Sequence, residues 1–487
     1  MPKTPAISPT KHRHASDSII LTIACLAQFM VVLDVSIVNV ALPSMQRDLH
    51  FTGSSAEWVV NAYVLTFAGF LLLGGRAADL FGRRRVYLAG MFVFVLASVG
   101  AGFAASSSQI VAVRALQGLG GAILSPATLT IIVTTFHGPR LPKAIGAWSA
   151  VAGAGGAVGG LLGGILTGLV SWRWIFFINV PFGLVAAVGA VLYLRELRNQ
   201  EATQKLDVTG AVLVTGSLAA LIYGVVHTTS LGWTSPETLW WLLGGAAGLG
   251  LFLWWEGRVA SHPLMPFRVF RSRSLSTANL TMFLVGGAFF AMWYFLTFYF
   301  QNILGYGAVR TGFAFLPMAL SIIAGAQISS RLLARFGVRP LLGVGAVLAT
   351  FGFVWISMIE PHSSYWRNIL VPSMTCAFAM GILFPALATA ATADVDRADA
   401  GLASGVLNTA RQVGGSLALA ILGTVATDRA ATFVNTHSRL ALVSGYQRAF
   451  QISAAITLVA LFVSRAAPKR ARLVTPDKPR SPVATDG

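Results

Sequence analysis

Charge is scarce in this chain. Only 11% of its 487 residues are Asp, Glu, Lys or Arg, where a soluble domain carries about 25%. That deficit excludes an ordinary solvated globule. Cysteine is nearly absent as well. The two present, Cys25 and Cys376, both lie in apolar stretches, so neither a disulfide framework nor a cysteine-based metal site is expected. No GxxxxGK[ST] run occurs, which leaves no phosphate-cradling loop for ATP. A formal net charge of +18 could suggest nucleic acid. No compact basic domain carries that charge, however, and a nucleic-acid role is set aside. Large soluble appendages, which a sensor or scaffold would need, are missing too.

What the chain has instead is hydrophobic length. Apolar segments fall at 18–43, 55–75, 86–105, 108–134, 143–168, 174–194, 208–228, 238–257, 275–300, 311–330, 338–358, 368–391, 402–426 and 447–465. Each is about 20 residues, the length a helix needs to cross a bilayer. The first is too long for a signal-peptide core and is read as an uncleaved span. Lys and Arg gather on alternate loops, at 76–85, 195–205, 258–273 and 331–339, and are sparse on the others. This bias puts both termini in the cytoplasm and explains the net charge as topology facing anionic lipid. The expected setting is the cytoplasmic (plasma) membrane.

Two stretches hint at duplication. "RAADLFGRRRVYL" (76–88) has a weaker echo in "RLLARFGVRPLL" (331–342), with Arg, Phe-Gly and Arg at matching offsets. The division that follows is a tail at 1–17, a six-helix half at 18–196, an extra helical pair at 207–257, a second six-helix half at 275–465 and a tail at 466–487. Related halves with a site at their interface are a transporter architecture.

Within the spans, a few polar residues stand out. Asp34 lies in "LDVSIVNVALP" of the first span. An Asp at a helix centre costs roughly 2.5–3.5 kcal/mol, so such groups usually face the bundle interior and serve an ion or substrate path. The alternative is a packing role, with Asp34 bonded to Ser36, Asn39 or a neighbouring helix. Arg114 and Gln117 are three apart and share one face of the fourth span. Arg114 needs five donors satisfied. It therefore faces a polar cavity or a carboxylate, unless it snorkels to the interface. Arg411 poses the same problem in "LNTARQVGG". Span five is packed with glycine: Gly155, Gly159 and Gly163 form one row four apart, and Gly156, Gly160 and Gly164 another. Such rows let helices touch backbone to backbone, within one chain or in a dimer. Aromatic residues crowd span nine, Trp293 and Tyr294 among them, and could wall a site for flat organic compounds or face lipid.

Taken in order, these motifs resemble the major facilitator superfamily, in particular its fourteen-span drug/proton antiporter branch. The resemblance rests on "LDVSIVNVALP", "GGRAADLFGRRR", "RALQGLGGAILSPA", "GAWSAVAGAGGAVGGLLGGIL", "WRWIFFINVPFG" and "LNTARQVGG", and covers nearly the whole chain. It implies an all-α membrane protein of two six-helix bundles plus two extra central helices, fourteen in all. The implied function is proton-coupled efflux of amphiphilic drugs or antibiotics by alternating access, as in multidrug or antibiotic resistance. The alternatives kept open are a dedicated exporter of one endogenous metabolite and a proton-independent uniporter. No enzymatic chemistry and no cofactor are implied, since the proton motive force is the drive. Membrane lipid and a small organic substrate are the expected partners, with no ATP and a monomeric state.

The residues themselves point to proton coupling at Asp34 and to cavity or substrate contact at Asn39, Gln117, Trp293, Tyr294 and Arg411; the resemblance adds Arg114 to the proton path. It makes Gly75, Asp79, Gly82 and Arg83 a cytoplasmic gate, and the glycines of span five an antiporter motif along which the halves rock. Two departures weaken this match. Ala77 and Leu80 stand where the family has Leu and Arg. Gly159-Gly160 replaces the usual Gly-Pro and so lacks a kink point. No acid lies in 311–330 or 402–426, which disfavours a dicationic substrate.

Overall fold

The computed structural model describes residues 17–50, 53–136, 140–194, 196, 206–261, 263, 264, 267, 271–393, 400–433 and 438–467. All regular structure among them is helical. The helices are α1 (Asp17–Asp48), α2 (Gly53–Phe81), α3 (Arg83–Gly102), α4 (Ser107–Thr135), α5 (Arg140–Leu169), α6 (Trp174–Tyr193), α7 (Val208–Leu231), α8 (Pro236–Trp254), α9 (Arg273–Phe298), α10 (Ala308–Phe336), α11 (Val338–Ile356), α12 (Leu370–Ala393), α13 (Ala400–Ala431) and α14 (Arg439–Ser464). Helix is what lipid demands, because it satisfies backbone N–H and C=O groups within the segment. Twelve helices among the described residues are apolar and long enough to cross a bilayer. The other two, α5 and α13, run 30 and 32 residues; the described apolar stretch of α5 is Val158–Leu169, and α13 carries Arg411, Gln412, Asp428 and Arg429. The tails expected at 1–17 and 466–487 fall almost entirely outside the described residues.

Several helices overrun the apolar segments. Helix α1 continues through Pro43 to Asp48, and α9 runs on into a wide π turn, Tyr299–Ile303. Apolar runs mark only the bilayer-facing length, whereas helices protrude into the headgroup layer on polar turns. Ser and Asp caps set several starts. Ser106 Oγ accepts from Gln109 N, Asp207 from Gly210 N, and Ser438 Oγ from Ala441 N.

The packing has two groups. In the first, α4 lies against α2, α3 and α1, α1 against α5, and α6 against α1 and α3. In the second, α9 packs on α13, α14 and α12, and α11 on α12 and α14. The pair α7 and α8 pack on each other, and α7 also touches α2 and α13. Between the groups, α5 crosses α10 and α2 crosses α13. Toward the end of the bundle where α2 and α10 begin, the groups approach closely at Gly164 with Ala308 and at Gly423 with Glu57. There Gln301 Nε2 donates to Val40 O at 2.8 Å.

Close approaches rely on missing side chains. A Cβ on Gly74 would fall 2.2 Å from Ala122 O, and one on Gly414 would fall 2.1 Å from Phe283 O. Lipid tails are as apolar as leucine, so helices gain little from hydrophobic burial and depend on such contact. We expect Gly414→Ala to force α9 and α13 apart, at about 1–3 kcal/mol of overpacking. Gly244, which has nothing within 4 Å of its would-be Cβ, provides the control. Thermal unfolding of the detergent-purified protein should show Gly414→Ala weakened and Gly244→Ala unchanged.

Candidate functional site

A polar knot lies inside the first group of helices. Asp34 sits midway along α1 and is fully buried, and Arg114 of α4 is 1% exposed. Arg114 Nη1 donates to Asp34 Oδ2 at 2.5 Å. The other carboxylate oxygen, Oδ1, accepts from Gln117 Nε2 at 2.7 Å and from Asn179 Nδ2 at 3.0 Å. Gln117 Oε1 in turn accepts from Arg114 Nη1 at 2.6 Å. Ser98 Oγ, on α3, is shared by Gln117 at 2.7 Å and Asn179 at 3.2 Å. Arg114 Nε donates to the Val59 carbonyl of α2 at 3.1 Å, and its guanidinium lies 4.3 Å from the centroid of the Tyr63 ring.

Three helices therefore meet on one carboxylate, and α2 and α3 join through its donors. The spacing explains how. Arg114 and Gln117 are neighbours on one helical face, and both turn toward α1. Asn179 falls just past a break in α6, after the short turn Trp174–Phe177. With three donors on its two oxygens, Asp34 is well satisfied as an anion. The guanidinium balances its charge, which a dry interior requires. Neither snorkelling of Arg114 nor bonding of Asp34 to Ser36 or Asn39 is seen. Ser36 Oγ donates instead to Gly155 O of α5 at 3.2 Å, and Asn39 Nδ2 to Val35 O of its own helix.

The span-five glycines form two working rows. A Cβ on Gly155, Gly159 or Gly163 would meet α1, with Gly159 as close as 1.7 Å to Ser36 Oγ. One on Gly160 or Gly164 would meet α10, with Gly164 2.4 Å from Ala308 O. Gly156 has open space around it. One row thus binds α5 within its own group and the other presses it on the second group, so both serve contacts within this chain.

The gate residues divide. Gly82 has φ +97°, a conformation that favours glycine, and forms the turn between α2 and α3. Gly75 does not form a turn. It lies inside α2, where a Cβ would make an ordinary 3.6 Å contact with Pro126. The Asp79 side chain, and with it any Asp79–Arg83 pairing, lies outside the described residues. Arg83 opens α3 half-buried. Its neighbours hold the loop to their own group, with Arg84 Nη2 donating to Val191 O at 2.8 Å and Arg85 3.8 Å from Glu196.

In the second group, the aromatics of α9 are core rather than a lipid-facing belt. Phe289, Tyr294, Phe295 and Phe298 are buried, while Trp293 is half-buried against Phe315 of α10 at 4.9 Å between ring centroids. Arg411 is not brought to a carboxylate. Its side chain packs on Gly286 of α9 and lies 5.8 Å from the Phe384 ring centroid, and its buried Nε has no hydrogen-bond partner. Sequence reading missed Ser98, Asn179, Tyr63 and Glu57. A buried Asn inside "WRWIFFINVPFG" and a Glu opening span two were signals of the same kind as Asp34.

Residues 24–419 match the profile of the Major Facilitator Superfamily. The chain belongs to this superfamily. It is 40% identical over 408 residues to the cephamycin export protein CmcT of Amycolatopsis lactamdurans, covering 83% of this chain and 84% of that protein. The puromycin resistance protein pur8 of Streptomyces alboniger is 40% identical over 91% of this chain and 89% of its own. The multidrug resistance protein Stp of Mycobacterium tuberculosis is 33% identical over 87% and 78%. Among solved structures, an auto-inhibited peptide transporter of the POT family superposes with a TM-score of 0.65 at 17% identity, over 95% of this chain and 98% of that one. A bacterial homologue of the lysosomal transporter Spinster gives 0.64 at 15%, over 93% and 98%. These relatives are membrane transporters, and the likeness to solved structures concerns fold alone.

The knot ranks its own substitutions. Asp34→Ala strands Arg114 as an uncompensated buried charge and should cost about 3–5 kcal/mol. Asn179→Ala removes one of three bonds to the carboxylate and should cost about 1.5–3 kcal/mol. Unfolding of the purified variants checks the order. Equal losses would show that Asp34 is not the centre of the knot.

Proposed function

We propose that the chain is a proton-driven exporter. It carries amphiphilic, antibiotic-like compounds out of the cell across the cytoplasmic membrane, by alternating access between its two groups of helices. The observation that carries this reading is the buried Asp34–Arg114 pair held by Gln117 and Asn179. A proton on Asp34 removes the charge that holds Arg114, and the guanidinium must then find another partner. Losing one member of a buried pair is worth about 3–5 kcal/mol, enough to shift a two-state equilibrium by roughly two to nearly four orders of magnitude. The pair also touches α1, α2, α4 and α6, so a change there alters several helices at once. Exchange follows if the proton enters in one state and leaves in the other. Both termini are placed in the cytoplasm by the basic loops. The contacts between the groups then close the outer end.

The substrate class follows from charge. The second group carries Arg411 without a carboxylate beside it, and α9 to α12 contain no acid. Neutral or anionic compounds fit such a wall better than dications. Relatives named for a single antibiotic, such as the cephamycin and puromycin proteins, favour a dedicated exporter as the second reading.

Everted membrane vesicles test the proposal. An imposed proton gradient, followed with a fluorescent amine, is expected to dissipate when a cephamycin, puromycin or another cognate compound is added. Asp34→Asn should abolish that response while the protein still reaches the membrane. Transport that persists in Asp34→Asn, or in the presence of a protonophore, would leave a uniporter.

A further inference from the structure

A second carboxyl group is buried in this protein, away from the Asp34 knot. Glu57 lies in the opening turns of α2 and is 5% exposed. Its Oε2 has no hydrogen-bond partner. It belongs to none of the ion pairs among the described residues. Four positions on, Asn61 is fully buried with both its Oδ1 and Nδ2 unpartnered. Residues four apart share one helix face, so a single strip of α2 holds three unmet polar atoms. Most buried polar atoms in native proteins are paired, and a strip like this calls for an occupant.

The strip faces the other group of helices. A Cβ on Gly423 of α13 would stand 2.0 Å from Glu57 Oε1 and 2.6 Å from its carboxyl carbon. The carboxyl thus fills a notch that glycine leaves in α13. Other titratable groups nearby are the phenols Tyr294 on α9 and Tyr446 on α14, Tyr223 with His227 on α7 beside Trp58, and Asp428 and Arg429 beyond Gly423 on α13. On the α4 side, the cation is Arg114, which is committed to Asp34 and to the Val59 carbonyl. No base reaches Glu57 among the described ion pairs. An ionised carboxylate shut into this contact would be an uncompensated buried charge.

We propose that Glu57 is a second proton-binding site, and that α2 closes on α13 only when its carboxyl is protonated. When the two groups part, the notch opens to water and the carboxyl ionises. When they close, the proton goes in with it. The Glu57 turn is joined to the first site through the Val59 carbonyl, so closure and the Arg114 contact move on one stretch of backbone. This inference needs two groups that separate at that end. It does not need Asp34 to titrate.

Double electron–electron resonance tests it. Spin labels go on exposed positions at that end, His50→Cys and Thr432→Cys, in a Cys25→Ser, Cys376→Ser background held in phospholipid nanodiscs. The ratio of short to long distances is expected to fall as pH rises from about 5 to about 8. One linked proton changes that ratio by up to about tenfold per pH unit. Glu57→Gln, permanently neutral, should stay closed across the range, and Glu57→Asp should keep the pH dependence. Asp34→Asn should retain the Glu57 share of the slope, which separates this site from the exporter reading above. A pH slope unchanged in Glu57→Gln, or a distance that ignores pH in the unmutated chain, overturns the proposal.

Discussion

One ion pair in a dry interior shapes the first half of this protein. Neither Asp34 nor Arg114 can stay charged alone away from water, so each fixes where the other must be. The guanidinium brings more donors than one carboxylate can accept. Part of the surplus goes to Gln117 Oε1 and the Val59 carbonyl. The carboxylate brings more acceptor sites than one arginine fills, and Gln117 and Asn179 occupy them. Satisfying both inventories draws in α1, α2, α3, α4 and α6. In lipid, where apolar surface gives helices little reason to associate, such a knot adds to close packing in fixing how they sit.

The knot lies close to the surface on which the groups meet. Ser36, two residues along α1 from Asp34, bonds to the Gly155 carbonyl of α5. The neighbouring face of α5, one residue on, is the row that presses on Ala308 and Gly312 of α10. A helix with smooth glycine faces on two sides can bind tightly to one neighbour and slide against another. Backbone-to-backbone contact leaves no interdigitated side chains to unlock. Helix α5 thus packs against both α1 and α10, with no hydrogen bond on the α10 side among those described.

Much of this was legible in the sequence. Hydrophobic length located the helices, because the cost of an unsatisfied backbone in lipid leaves little choice of structure. Asp34, Arg114 and Gln117 stood out because charge and amide are expensive where they lie, and their three- and four-residue spacings were readable on a helix. Asn179 and Ser98 were not read, since one Asn or Ser in an apolar run is common and gains meaning only beside its partners. Gly74-Gly75 looks like a turn in the sequence, but α2 runs straight through it and the turn falls seven residues on, at Gly82. The aromatic run of α9 carried no information on direction. Only the packing of Phe295 on Tyr446 and Phe450 turned it inward.

The two groups differ in chemistry more than their common outline suggests. Of the two groups, the first carries acids within its membrane-facing length, at Asp34 and Glu57, and each is placed against a different neighbour: an arginine in one case, a bare glycine in the other. The second group offers aromatic surface and a lone, unpaired Arg411. A charge left unpaired by the protein is a charge available to a solute, and a carboxylate already paired is not. In the proposed exporter, proton chemistry belongs to the first group and solute recognition to the second, on opposite sides of their interface. Placed so, the two would compete through geometry, without needing both ligands to share a single residue.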